Sequence, residues 1–324
     1  MINRFIIFTA LLVAYLCVPL YGAASNTSNI LHTNQAAIKE TFINAGDAKL
    51  FCRIAGKGQP VIVIHGGPGL TQDYLLPHMY ELAKNNLVIF YDQRGCGNST
   101  GEINTDTINI KSFVNDIDTI RRALNFDKVS VLGHSYGAFL AMNYAIAHPE
   151  DVDKLILCNS FPSTSKDYTL FGEEYMKRMS PYQEEIKKIT DSQEYKDGNS
   201  KTVENFYRLI FKQYCYNPAK ADLLNLWMTP TAAVNGAKVY ECLRENAIDR
   251  PFNLTNDLKK LTLQTLVIHG DADPIPPITA RHIHENIPGS KFVLIKNCGH
   301  FPYVEDPEAY FRHIREFLNP NIAN

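Results

Sequence analysis

The chain has 324 residues, of which 45% are hydrophobic and 20% charged, and its formal net charge is −2. That balance fits a globular protein with one large α/β unit or two smaller ones, and it excludes a disordered or collagen-like chain. So slight a charge offers no basic surface for nucleic acid or an anionic membrane, and the sequence holds no internal repeat or low-complexity run.

The opening segment reads as separate from the fold. Arg4 supplies a positive charge, Phe5 to Leu20 is almost wholly apolar, and Gly22-Ala23-Ala24 offers small residues for cleavage. Residues 1–24 are therefore expected to be a secretory signal peptide, making the protein exported, periplasmic or secreted. The apolar run is short for a bilayer span and Pro19 interrupts it, which argues against an uncleaved anchor. Residues 25–37 read as a polar tether.

Ile38 to Asn44 and Lys49 to Ala55 are strand-like, and Ala45-Gly46-Asp47 turns between them, so an antiparallel hairpin is expected. Val61 to Ile64 is a fully apolar strand running into His65-Gly66-Gly67-Pro68-Gly69. Glycines at the C-terminal end of a strand let the backbone approach a ligand and expose an N–H, which makes Gly67 a candidate donor to an oxyanion. Leu87 to Tyr91 is the next buried strand, followed by Asp92-Gln93-Arg94-Gly95-Cys96-Gly97-Asn98-Ser99. Asp92 and Arg94 are expected to form a buried, charge-assisted pair that fixes loops around the site. Ile110, Phe113, Val114, Ile117, Ile120 and Leu124 recur at helical spacing, which predicts an amphipathic helix over residues 107–124.

The stretch around Ser135 carries the strongest signal. Lys128 to Leu132 reads as a buried parallel strand, Gly133-His134-Ser135-Tyr136-Gly137 fits Gly-x-Ser-x-Gly, and Ala138 to Ala147 reads as a helix ending before His148-Pro149. A strand turning sharply into a helix at a serine is a nucleophile elbow. It lifts the serine hydroxyl above the sheet edge and aims the amides of the helix start at a developing oxyanion.

A strand at Lys154 to Cys158 follows, and then strand signals stop. From about Phe161 to Leu258 the chain reads as helices broken by Ser180-Pro181, Asn217-Pro218 and Thr229-Pro230. This is expected to be a helical cap, residues 161–258, inserted between core segments 38–160 and 259–324 and controlling substrate access. Strands resume at Gln264 to Ile268 and Lys291 to Ile295, and a helix over 307–318 closes the chain. Each resumed strand leads to a candidate: Asp271 or Asp273 after the first, His300 after the second. Serine, then acid, then histidine is the chain order of an α/β-hydrolase. Asp273 is the better placed acid, three residues past Gly270, while Asp271 suits capping the turn. His300 would take the proton from Ser135, and the acid would fix its tautomer.

Six cysteines follow Cys17. Cys158 is expected to be a free buried thiol, and Cys215 with Cys242 is the pair to test for a disulfide. No spacing points to a metal, and no cofactor is required.

Taken together, these motifs resemble the α/β-hydrolases and, more narrowly, the proline iminopeptidases and their tricorn-interacting relatives, a serine peptidase family. The carrying residues are His65-Gly66-Gly67-Pro68-Gly69, Asp92 to Ser99, residues 133–137, Gly270-Asp271-Ala272-Asp273 and Gly299-His300. The resemblance implies an α/β fold with a mostly parallel central sheet flanked by helices and a helical cap. It implies a triad of Ser135, Asp273 and His300, with an oxyanion hole from the N–H groups of Gly67 and Tyr136. It also implies a small-molecule or short-peptide substrate, and release of N-terminal proline or small residues. Two features depart from that family. Its elbow usually reads Gly-Gly-Ser-Trp-Gly, whereas a histidine precedes the serine here, as in esterases and lipases of the same fold. Its cap acids bind the substrate amino group, and among Glu173, Glu174, Glu204, Asp222, Glu241 and Glu245 the sequence singles out none. An esterase or lactonase is the alternative, and a non-catalytic binding protein would not need the intact Ser, Asp and His.

Overall fold

The computed structural model describes residues 38–320, so the expected signal peptide (1–24) and tether (25–37) lie outside the described residues. Eight strands form one sheet: β1 (Lys39–Asn44), β2 (Lys49–Gly56), β3 (Gln59–Ile64), β4 (Asn86–Tyr91), β5 (Val129–His134), β6 (Val152–Cys158), β7 (Gln264–Gly270) and β8 (Lys291–Ile295). Their order is β1-β2-β4-β3-β5-β6-β7-β8. Only the β1·β2 and β2·β4 pairs are antiparallel, and β4 through β8 run parallel. The hairpin forms at the expected place, with Asn44 opposite Lys49 and Gly46 at φ 79°.

Parallel strands must be covered on both faces, and the side chains divide with period two. Ile62, Ile64 and Val131 face one apolar layer, whereas Val61, Val63 and Leu132 face the other. The first layer takes in α1 (Ile110–Ala123) through Phe113 and Ile117, and α2 (Tyr136–Ala147) through Phe139 and Met142. Asn109 caps α1, its side chain accepting from the Ser112 N–H, so the helix starts three residues later than its hydrophobic spacing suggests. Residues 104–107 are held instead in a turn by the Asn104 side chain, which accepts from the N–H groups of Asp106 and Thr107.

Between β6 and β7 stand helices α3 (Ser165–Met179), α4 (Gln183–Asp191), α5 (Gln193–Lys196), α6 (Ser200–Lys212), α7 (Pro230–Leu243) and α8 (Thr255–Leu258). The chain then returns through β7, α9 (Pro277–Asn286), β8, α10 (Pro302–Glu305) and α11 (Pro307–Leu318). The second apolar layer joins α11, through Ile314 and Phe317, to Ile210 and Phe211 of α6.

Two expectations are corrected. Asp92 and Arg94 are both buried but do not pair with each other. A tight turn closed by Cys96 N–H on Gln93 C=O sends them apart. Asp92 accepts the N–H groups of Gln72 and Asn98, at 2.9 and 2.8 Å, while Arg94 reaches α1 and binds Asp116 through two contacts of 2.8 and 2.7 Å. Cys215 and Cys242 are both free, as are the other four described cysteines. Cys215 is buried beside the loop of His300, with its Cα packed on Gly299, whereas Cys242 belongs to α7.

Candidate active site

Ser135 stands where β5 ends and α2 begins, with φ 57° and ψ −124°. The junction is tight because the strand, the helix and the end of β3 nearly touch. A Cβ on Gly133 would lie 2.5 Å from the Ala138 N, and one on Gly137 would strike the Ile64 carbonyl. The Ser135 backbone is fixed on both sides: its N–H donates to Cys158 C=O at 2.9 Å, and its C=O accepts from Ala138 and Phe161 at 2.9 and 3.0 Å.

His300 and Asp273 meet at the ends of the two strands that follow the cap. His300 Nδ1–H donates to Asp273 Oδ2 at 2.8 Å, and both residues are buried. The same carboxylate accepts Asn159 Nδ2–H at 2.6 Å and, on its other oxygen, the Ile275 N–H at 2.8 Å. Burial drives the Asp273 carboxyl upward, but the nearby His300 and His269 and the hydrogen bonds from His300 and Asn159 outweigh it, so its pKa lies below the ordinary value. Asp271 faces elsewhere: it accepts the Cys298 N–H at 3.3 Å and lies 3.7 Å from Lys296. Asn159 was not singled out from the sequence. Its signal is faint, a polar residue straight after the apolar β6, and it holds φ 45° while also donating to Gly299 C=O at 3.0 Å.

The loop after β3 is braced from behind. His65 Nδ1–H donates to Gly66 C=O at 2.7 Å, its Nε2 accepts the Gln93 N–H at 3.1 Å, and Gln93 Nε2–H donates to His65 C=O at 2.6 Å. Burial pushes the His65 pKa down to about 4, so the ring stays neutral. Gly67 has φ 128°, and none of the turn and loop hydrogen bonds among the described residues uses its N–H. Tyr136 opens α2, where a first-turn N–H has no acceptor within its own helix.

The segment between β6 and β7 roofs this edge of the sheet. His300 N–H donates to Tyr214 C=O at 2.8 Å, and the two rings meet edge to face at 5.2 Å. Arg178 of α3 donates to the carbonyls of Ala272 and Gln213 at 2.9 and 3.1 Å, which ties the roof to the Asp273 loop. The six acids named from the sequence are engaged or exposed. Glu174 pairs with Arg178, Glu204 with Arg208, Asp222 with Arg208 and Lys212, and Glu241 with Arg244. Glu173 and Glu245 are exposed. Among the described residues, one group has metal-ligand spacing, namely Asp118, His148 and Asp151. Arg121 already binds both of its carboxylates, at 2.8 and 3.1 Å. No helix among the described residues is long and apolar enough to cross a membrane.

Residues 59–307 match the family described as the alpha/beta hydrolase fold. A protein named proline iminopeptidase from Heyndrickxia coagulans is 33% identical over 82% of this chain and 92% of its own length. Another of that name, from Saccharolobus solfataricus, is 29% identical over 82% of this chain and 87% of its length. The crystal structure of proline iminopeptidase from Mycobacterium smegmatis superposes with a TM-score of 0.64 and 23% identity, covering 87% of this chain and 98% of that one. At that identity the superposition speaks for the fold alone. The match to three quarters of the chain, the eight-stranded sheet and the serine held at the end of β5 agree: the chain belongs to the α/β-hydrolase family and is similar to the proline iminopeptidases within it.

Proposed function

We propose that the chain is a serine hydrolase in which Ser135 is the nucleophile, His300 the general base and then acid, and Asp273 the residue that orients His300. The observation that carries this reading is the 2.8 Å contact of His300 Nδ1 with Asp273 Oδ2, at the sheet edge where the elbow sets Ser135. With its proton held on Nδ1, the imidazole keeps Nε2 free to accept from Ser135 Oγ as that oxygen attacks a carbonyl carbon. The N–H groups of Gly67 and Tyr136 would receive the charge that grows on the carbonyl oxygen. His300 then returns the proton to the leaving group, and a water repeats the sequence on the acyl-enzyme. Asp273 stabilises the imidazolium formed in between.

The substrates in this reading are short peptides from which N-terminal proline or another small residue is released. Its support is the 33% identity to a proline iminopeptidase across 92% of that relative. A second reading, an esterase or lactonase on small acyl substrates, draws on one observation: four cap acids are already ion-paired and the other two are exposed. None is thus a buried, unpaired carboxylate ready for a substrate ammonium. Turnover of prolyl arylamide, free and N-acetylated, beside a short-chain aryl ester separates the two. Preference for the free amine supports the peptidase; equal rates on both amides with faster ester cleavage support the esterase. We propose also that residues 1–24 are removed on export, in which case N-terminal sequencing of the mature protein begins at Ser25; a start at Met1 contradicts it.

A further inference from the structure

We infer that Tyr74 and His134 are a positioning pair, which holds the oxyanion loop and the His300 loop at a fixed separation across the elbow. The inference rests on the reading of Ser135 and His300 given above. Gly66 N–H donates to the Tyr74 hydroxyl at 2.6 Å. That hydroxyl lies 2.7 Å from His134 Nδ1, and His134 Nε2 lies 2.8 Å from His300 C=O. A phenol has one proton. Having accepted from Gly66, Tyr74 gives its own to Nδ1, so His134 carries its proton on Nε2 and donates it to His300. All the donors therefore point the same way, from the loop after β3 to the loop after β8, and such chains polarise one another.

Among the described residues the two side chains have no further hydrogen-bond partner. Tyr74 and His134 are 3% and 1% exposed. Burial and the neighbouring His300 push the His134 pKa down to about 3, so the ring stays neutral and its tautomer stays fixed. The loop it braces has no slack either: a Cβ on Gly66 would lie 2.7 Å from the Ser135 Cβ and 2.9 Å from the Tyr74 hydroxyl. Shifting Gly66 moves the neighbouring Gly67 N–H, and shifting the His300 backbone moves its imidazole. Both change the transition state more than they change the binding of ground-state substrate.

The test uses the full chain with Tyr74→Phe, His134→Gln and His134→Leu, assayed on an aryl ester and counted by the endpoint of fluorophosphonate labelling. Tyr74→Phe keeps the ring and removes only the hydroxyl. Per labelled site it should lower kcat by about 10- to 100-fold with KM nearly unchanged. His134→Gln, whose amide can still donate to His300 C=O, should retain more kcat than His134→Leu. A Tyr74→Phe enzyme whose kcat per labelled site equals that of wild type overturns the inference, as does equal loss in the glutamine and leucine variants. Wild-type protein that does not label at Ser135 overturns the triad reading and this inference with it.

Discussion

Ser135 is one of four non-glycine residues with positive φ among those described, together with Asn125, Asn159 and Asn297. Such a conformation costs a serine roughly 1–3 kcal/mol, and it persists because Cys158, Ala138 and Phe161 pin the backbone on both sides. Two of these outliers, Ser135 and Asn159, stand at the site, and Asn159 uses its strained position to reach Asp273. The roles of the two aspartates can be separated by isosteric change. Asp273→Asn is predicted to lower kcat by about 10⁴-fold, because His300 Nδ1–H then has no carboxylate to hold it. Asp271→Asn should cost far less, since Asp271 serves the Cys298 N–H. Steady-state kinetics on one substrate decide it, and the reverse order would assign the acid to Asp271.

Among elements, the docking of the cap on the core carries the consequences. Gly236 of α7 and Gly69 of the loop after β3 pack backbone to backbone, so a Cβ on either meets the other's carbonyl. Gly236→Ala should raise the intrinsic helix preference of α7 by about 1 kcal/mol, yet it is predicted to lower both kcat/KM and Tm because the methyl group drives α7 from the loop. An unchanged or raised Tm with full activity would show the contact to be incidental. Within the core, α1 is anchored by Asp116, which is 1% exposed and bound by Arg94. Asp116→Ala leaves that guanidinium with only half-exposed Asp47 and one carbonyl, and is predicted to destabilise the fold by about 3–5 kcal/mol in urea unfolding. The strands, α1 and α11 were legible in the sequence because apolar period and turn residues are local signals. The partners of Arg94 were not, because Asp116 lies 22 residues further on and only the packing of α1 against the sheet brings them together. For the same reason Tyr74 gave no sign and Asn159 only a faint one, although Ser135, Asp273 and His300 stood out by their positions at strand ends.

At the scale of the whole molecule, the buried histidines set how stability depends on pH. His65 and His134 have pKa values near 4 and 3 in the fold against 6.5 unfolded, mainly through burial, and that of His269 is also lowered. Below 6.5 the unfolded chain takes up protons that the folded chain refuses, so stability falls as pH falls from 6.5 toward 4. Asp92 works the other way: burial raises its carboxyl from 3.8 to about 6, so the folded form protonates first and offsets one histidine in that window. Burial raises Asp116 and Glu305 as well, whereas Asp273, Glu174, Asp191 and Glu204 lie below the ordinary carboxyl value. With three depressed histidines and four lowered carboxyls against three raised ones, Tm should decline below pH 6.5, and a flat profile to pH 4 would contradict this balance. That decline concerns stability, whereas the proposed hydrolysis turns on chemistry at one oxygen atom, Ser135 Oγ. The most direct measurement is peptide mass mapping of the protein after reaction with a fluorophosphonate. One adduct is expected, on Ser135, absent from Ser135→Ala together with nearly all turnover. An adduct on another residue, or labelling and turnover that survive Ser135→Ala, would contradict it.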